Sequence, residues 1–262
     1  MNIIVCIKQV PSTSEVKIDE ETGSLIRDGV DSKMNPYDLF ALETALRIKQ
    51  RVGANITVLS MGPPQVQAII AEAYLMGEVE GVVLSDRCMA GADCLATSFA
   101  LSQCIQSIGL PDLVICGKQT TDGDTAQVGA ELAEFLHIPH ITNVLKIDEI
   151  KEKSIVVASD LPAMTQIAEI QFPALITVEK DLVQPRLPSY KRKRSLPTLH
   201  LRSFNLNDLA DQNEEKYGLS GSPTRVVRIF PPEKIRKTEI VEGDSTELAD
   251  RLYEVLAEWK FV

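Results

Sequence analysis

The residues best suited to chemistry lie in one run: Gly117, Lys118, Gln119, Thr120, Thr121, Asp122, Gly123, Asp124, Thr125, Ala126, Gln127, Val128 and Gly129. Three threonine hydroxyls and two glutamine amides offer hydrogen-bond donors and acceptors there. The glycine-bearing turn can expose backbone N–H groups, and a helix predicted just beyond, over Ala130–Leu136, would favour an anion at its mouth. These are the parts of a nucleotide site. Carboxylates repel phosphate, so Asp122 and Asp124 are expected to cap the helix or to bind ribose hydroxyls and amides. An ordinary strand–helix turn with its usual caps would carry the same residues. The run alone leaves both readings open.

The elements that must position this run follow from apolar periodicity. Leu113–Cys116 before it is a short apolar run that predicts a buried strand, so the loop falls at the carboxyl edge of a parallel sheet, where nucleotides bind. Further strands are predicted over Asn2–Ile7, Asn55–Met61 and Gly81–Ser85, with helices from Asn35 to about Arg51, over Pro64–Met76 and over Gly91–Ile108. That alternation predicts an α/β fold: a three-layer, mostly parallel, Rossmann-like sheet of the adenine-nucleotide-binding type with right-handed crossovers. Asn35-Pro36-Tyr37-Asp38 has the chemistry of a helix start, with Asn35 as N-cap, Pro36 at the first helical position and Asp38 complementing the dipole. Capping alone explains all four residues, while their place at a helix mouth on the same sheet edge as the central run also suits a second ligand contact. Gln9–Val30 is rich in turn residues, and Val16–Asp19 and Ser24–Arg27 alternate as a hairpin would, in the position of a ligand-covering loop.

Beyond Pro139 the pattern changes. Ile155–Ala158, Met164–Ile170 and Ala174–Val178 predict strands that extend the sheet in partly antiparallel fashion. Gln184–Arg194 is a proline-flanked basic segment, either a solvated linker or a dock for an acidic partner. Leu196–Lys237 carries too little apolar residue for its own core and suits an extended arm lying on another subunit. Ser245–Lys260 predicts a terminal amphipathic helix capped by Asp244 or Ser245. The expected division is therefore a nucleotide-binding domain over 1–190 and a C-terminal arm and helix over 191–262.

Composition narrows the classes. The chain has 262 residues, 44% hydrophobic and 24% charged, with a formal net charge of −10, which argues against a general nucleic-acid binder. No apolar run approaches the roughly 18 residues that span a bilayer, and the strand-like N-terminus does not resemble a signal peptide, so a cytoplasmic protein is expected. Five cysteines without a C-x-x-C pair suggest reduced thiols. His137 and His140 have a spacing that could bind metal, but no cysteine or carboxylate cluster accompanies them, and a loop after a helix is the simpler account. No catalytic constellation is visible. If the chain takes part in a reaction, a bound cofactor carries the chemistry.

Three ordered segments resemble the β subunit of electron-transfer flavoproteins. They are Asn35–Asp38 followed by Ala41-Leu42-Glu43, then Gly117-Lys118-Gln119 through Gln127-Val128-Gly129, then Phe172–Val178 continuing to Pro185–Ser189. The resemblance implies a heterodimer with an α subunit that carries the electron-transferring FAD. It also implies a nucleotide in the β subunit, AMP in the ordinary branch and a second FAD in the electron-bifurcating branch. The implied binding positions are Cys6, Asn35, Pro36, Tyr37, Asp38, Met61, and Gly117 through Val128. The ordinary branch resembles D-D-D-x-N-Q-T-G in this loop, where Gly123, Ala126 and Val128 stand instead. That change looks like the bifurcating branch, as do Val10–Thr13 and Thr22–Gly29. Gly123 would let the backbone approach a pyrophosphate, and Ala126 removes bulk. FAD is thus the expected ligand, with NADH as hydride donor, ferredoxin or flavodoxin as low-potential carrier and an acyl-CoA dehydrogenase-type flavoprotein as the other partner. The alternatives are a structural AMP holder in the same heterodimer and an adenine-nucleotide-binding regulatory module. Two departures stand out: Ala158–Gln166 lacks the family's D-G-G-x-E pattern, and the partner-recognition loop after Pro185-Arg186 is short, with Lys191–Arg194 as its basic end.

Overall fold

The computed structural model describes residues 1–12, 32–180, 182–194, 201–227 and 240–262. The hairpin expected over Val16–Arg27, the Thr22–Gly29 segment and parts of the arm lie outside them. The chain forms two compact units, Met1–Val227 and Arg228–Val262.

The first unit is built on strands β1 (Asn2–Cys6), β4 (Asn55–Met61), β5 (Glu80–Leu84), β6 (Leu113–Gly117), β7 (His140–Ile150), β8 (Ser154–Leu161), β9 (Met164–Gln171), β10 (Ala174–Val178) and β11 (Leu201–Phe204). They lie in one nine-stranded sheet in the order β11-β5-β4-β1-β6-β10-β7-β8-β9. Neighbours from β11 to β7 run parallel, and β7-β8-β9 is an antiparallel extension. A small separate ribbon pairs β2 (Gln9–Pro11) with β3 (Ser32–Met34). The α/β class and the mostly parallel three-layer sheet expected from the sequence are what is observed.

Both faces of the central strands are covered, which is why β1 reads as an unbroken apolar run. Ile3 and Val5 point to the side of α1 (Pro36–Val52) and α2 (Gln67–Met76), packing with Leu42, Ala45 and Ile70. Ile4 points to the side of α3 (Cys94–Ile108) and α4 (Val128–Leu136), packing with Cys104, Leu132 and Ala133. Asp93 caps α3 through its carboxylate, which accepts the Ala96 N–H at 3.1 Å.

Two regions differ from expectation. His140 does not lie in a loop: it opens β7, while His137 sits alone in the left-handed cap of α4 with φ 54°. Strand β7 is half-exposed and charged, and its pairing with β8 shifts register twice, which erases the two-residue alternation that marks a strand. Among the described residues no cluster of His, Cys, Asp or Glu could hold a metal ion. Residues 201–227, expected in an arm, pack on the first unit. β11 adds to the sheet beside β5, and Tyr217 is fully buried with its ring 5.3 Å from that of Phe99 and its hydroxyl donating to the Asp211 carbonyl. Single anchors of this kind are invisible to a periodicity argument.

Among the described residues of the second unit there is one long helix, α6, over Ser245–Glu258; α5 (Tyr190–Arg194) is a short helical turn of the first unit. Asp244 caps α6 in a capping box with Glu247, as the sequence indicates. No helix among the described residues is long and apolar enough to cross a membrane.

Candidate nucleotide site

The chain runs from β1 outward through β4 and β5, then returns to place β6 on the other side of β1. This reversal opens a crevice beyond the carboxyl ends of β1 and β6, the position at which open α/β sheets bind ligands. The two ends are level, with Cys6 registered on Cys116. One side of the crevice is therefore Cys6-Ile7-Lys8, the other Gly117 and the loop after it.

The start of α1 closes the back of the crevice, and it does so differently from a simple cap. Asn35 occupies the N-cap position, but its side chain makes no capping hydrogen bond. It is fully buried, donates from Nδ2 to the Gln119 carbonyl at 2.9 Å and to Asp38 Oδ1 at 3.0 Å, and accepts the Thr121 N–H at 3.2 Å. Asn35 thus ties the central loop to Asp38 instead of capping the N–H groups of its helix. Asp38 lies in the first turn, as expected, yet its carboxylate reaches back to β1 and accepts the Lys8 N–H at 2.7 Å. Burial pushes the Asp38 pKa up to about 7, a rise restrained by the N–H groups of Asn35, Lys8 and Gly117. Gly117 has no room for a side chain, since a Cβ there would stand 2.5 Å from Asp38 Oδ1 and 2.8 Å from the Tyr37 carbonyl carbon. Pro36 and half-buried Tyr37 are brought to the crevice by this close approach.

The loop itself corrects the expectation that its two aspartates cap the helix. Asp122 does not cap α4; both its oxygens accept from Lys8 Nζ at 2.8 Å, across the crevice. Burial would raise the Asp122 pKa, but the Lys8 ammonium holds it below the usual carboxylate range. Asp124 does not cap the helix either, because its carboxylate accepts from the Gln119 side-chain amide and its N–H donates to the Thr120 carbonyl at 2.9 Å. The N-cap of α4 is Gln127, without a side-chain cap, so the first-turn N–H groups from Val128 onward have no capping side chain. The left-handed residues are Asp124, with φ 53°, and Ala126, with φ 55°. Thr125 is tied to the start of α3, its hydroxyl accepting from the Cys94 thiol at 3.1 Å. Thr121 through Gln127 are exposed.

The other positions lie on the same edge. Cys6 is held as a thiol, its pKa raised by a hydrogen bond with Cys116 and by burial. Met61 ends β4, half-buried against the α3–α4 side of the core. Lys118 donates its N–H to the Val178 carbonyl at 2.9 Å and pairs its ammonium with Glu179, which raises its pKa. Lys8 and Glu179 are absent from the sequence-derived set. Glu179 directly follows β10 and Lys8 lies two residues beyond β1, both on the carboxyl edge, and that position alone was the available signal.

A second polar feature lies on the outer side of α1. A cleft of about 410 Å³ is lined by Glu43, Arg47, Gln50, Arg51, Gln184 and Arg186. Buried Glu43 accepts a forked pair from Arg186 at 2.7 and 3.0 Å and a further bond from Arg47 at 3.1 Å. Burial would raise Glu43, but the two guanidinium groups hold its pKa down. The proline-flanked basic segment is thus anchored to α1, with Leu187 left 87% exposed at its turn.

The family model described as electron transfer flavoprotein domain matches residues 22–202. A protein of Thermoanaerobacterium thermosaccharolyticum named electron transfer flavoprotein subunit beta is 45% identical over 258 residues, 98% of each chain. The caffeyl-CoA reductase-Etf complex subunit CarD of Acetobacterium woodii is 40% identical over 260 residues, again 98% of each. Protein FixA of Sinorhizobium fredii is 39% identical over 255 residues, covering 95% of this chain and 89% of its own. On a match of this length and relatives spanning nearly the whole sequence, the chain belongs to the electron-transfer flavoprotein family, among its β subunits.

Proposed function

We propose that this chain is the β subunit of a heterodimeric electron-transfer flavoprotein that binds FAD in the crevice between β1 and β6 and serves flavin-based electron bifurcation. In that role NADH is the donor, ferredoxin or flavodoxin the low-potential acceptor and an acyl-CoA dehydrogenase-type flavoprotein the second acceptor. The observation that carries the reading is the loop from Gly117 to Val128 at the topological switch point, open at its surface and ending on an uncapped helix. The relative named as part of a caffeyl-CoA reductase complex adds support from outside the chain.

The residues present fit such a ligand. The N–H groups at the start of α4 suit a phosphate, the hydroxyls of Thr120, Thr121 and Thr125 suit ribose and diphosphate oxygens, and the Gly117 contact leaves backbone rather than side chain against the crevice. When bound, FAD would supply hydride acceptance from NADH and one-electron transfer. The protein's part is to fix the loop through Asn35, to hold Cys6 as an uncharged thiol at the crevice floor, and to keep Lys118 neutralised by Glu179. Residues 191–262 would include the contact with the α subunit. Exposed Leu252 and Trp259 at α6 supply apolar surface for it.

One observation favours the second reading, a structural AMP in the same place. Asp122 and Asp124 bring two carboxylates to the loop, which disfavours a second phosphate. Cofactor content of the co-expressed αβ pair separates the two. Two flavins per heterodimer with NADH oxidation are expected; one flavin together with released AMP would make this subunit a scaffold. A colourless homo-oligomer binding ATP would point instead to a regulatory module.

A further inference from the structure

Two lysines stand at the carboxyl edge of the sheet, and each is matched to a carboxylate, Lys8 to Asp122 and Lys118 to Glu179. The two pairs are not equivalent. Glu179 is buried, directly after β10, so separating it from Lys118 would strand a charge inside the protein. The Lys8 and Asp122 side chains are 46% and 25% exposed, and water reaches both partners, so that pair is cheap to separate. Lys8 is nonetheless well placed. Its N–H donates to Asp38 at 2.7 Å and its carbonyl accepts the Asn35 N–H at 2.9 Å, which fixes its backbone at the mouth of the crevice. The stem and ammonium remain able to change partner.

We infer that Lys8 is the residue that recognises the nucleotide's phosphate in the crevice between β1 and β6, and that Asp122 is an exchangeable counterion that Lys8 releases to do so. The inference rests on the nucleotide reading above and reverses one role within it. Asp122 competes with the phosphate for a cation and is not a ligand of the nucleotide. The ligand class is a nucleoside phosphate or diphosphate, and a nucleoside without phosphate has nothing to offer Lys8. In a chain with net charge −10, a local cation at the crevice also offsets the repulsion that an incoming polyanion meets.

The test compares AMP and adenosine binding by calorimetry to the co-expressed αβ pair after removal of bound nucleotide, in the wild type, Lys8→Gln, Lys8→Arg and Asp122→Asn. Lys8→Gln is expected to weaken AMP binding roughly tenfold, the loss of one charge-assisted contact, while adenosine binding changes less than about twofold. Lys8→Arg retains the preference for AMP. Asp122→Asn tightens AMP binding, and the gain disappears when Lys8→Gln is added. Equal losses for AMP and adenosine in Lys8→Gln, unchanged AMP binding in that variant, or weaker AMP binding in Asp122→Asn each overturns the inference. A wild-type pair that binds neither AMP nor FAD would remove the nucleotide reading itself, and the inference with it.

Discussion

Asn35 and Gln119, 84 residues apart in the chain, are joined by a 2.9 Å hydrogen bond from the Asn35 side-chain amide to the Gln119 carbonyl. A residue at a helix start ties the first turn of its helix, through Asp38, to the loop after β6. Because the side chain is fully buried, each of its bonds replaces water that cannot reach the groups involved. Asn35→Ala leaves a carbonyl and an N–H of the loop without their partner and should cost about 1–3 kcal/mol. Urea unfolding measures it. A loss under about 0.5 kcal/mol would mean that the loop holds its shape without Asn35.

Gly117 offers a steric counterpart. With 2.5 Å between a hypothetical Cβ and Asp38 Oδ1 and 2.8 Å to Tyr37 backbone, Gly117→Ala must push β6 and α1 apart. Overpacking at fixed backbone costs about 1–3 kcal/mol, and nucleotide binding should fall with it, since both sides of the crevice move. Thermal unfolding and calorimetry of the same variant check the two effects together.

Asp38 makes stability depend on pH in an unusual direction. Its folded pKa of about 7 exceeds the ordinary aspartate value of 3.8, so between those values the native chain binds more protons than the unfolded one. Its contribution is therefore full below about pH 4 and is lost as pH rises towards 7, by at most about 4 kcal/mol. Most paired carboxylates, Asp122 included, act in the opposite sense. Urea midpoints measured from pH 4 to 8 should fall more steeply in the wild type than in Asp38→Asn, and parallel curves would show that Asp38 stays ionised throughout.

The buried fork of Glu43 and Arg186 should behave as a structural clamp. Arg186→Ala removes the guanidinium fork and leaves Glu43 with Arg47 and the backbone N–H of residue 186, and an under-compensated carboxylate at 2% exposure is expected to cost about 3 kcal/mol. The cost should shrink in the double variant Glu43→Gln with Arg186→Ala, where no charge remains to be compensated. Additive losses would indicate that the two residues act separately.

Much of this was legible in the sequence because it depends on period and punctuation. Buried strands such as Leu113–Gly117 declare themselves by apolar runs, and α1 by the Asn-Pro-x-Asp start. What could not be read is long-range. The partner of Asn35 is a carbonyl in the loop after β6, the partner of Asp122 is a lysine 114 residues away, and neither is encoded by local pattern. Strand β7 was hidden by its bulges, and the docking of residues 201–227 turns on Tyr217, one aromatic ring in a polar stretch.

The turn geometry supplies a last pair of variants. The left-handed backbone of the loop falls on Asp124 and on Ala126, with φ 55° at Ala126, and not on Gly123. Relieving it in Ala126→Gly should stabilise the folded chain by about 1 kcal/mol, less the added freedom of the unfolded chain. Gly123→Ala meets only the Thr120 hydroxyl at 3.3 Å and has no left-handed angle to lose, so its stability should stay within about 0.5 kcal/mol of the wild type. Its value lies elsewhere. If backbone at Gly123 approaches a diphosphate, as proposed, this substitution should lower the FAD content of the αβ pair while leaving the melting temperature of the nucleotide-free pair in place. Full flavin loading in Gly123→Ala would mean that the ligand is gripped from the α4 side of the loop alone.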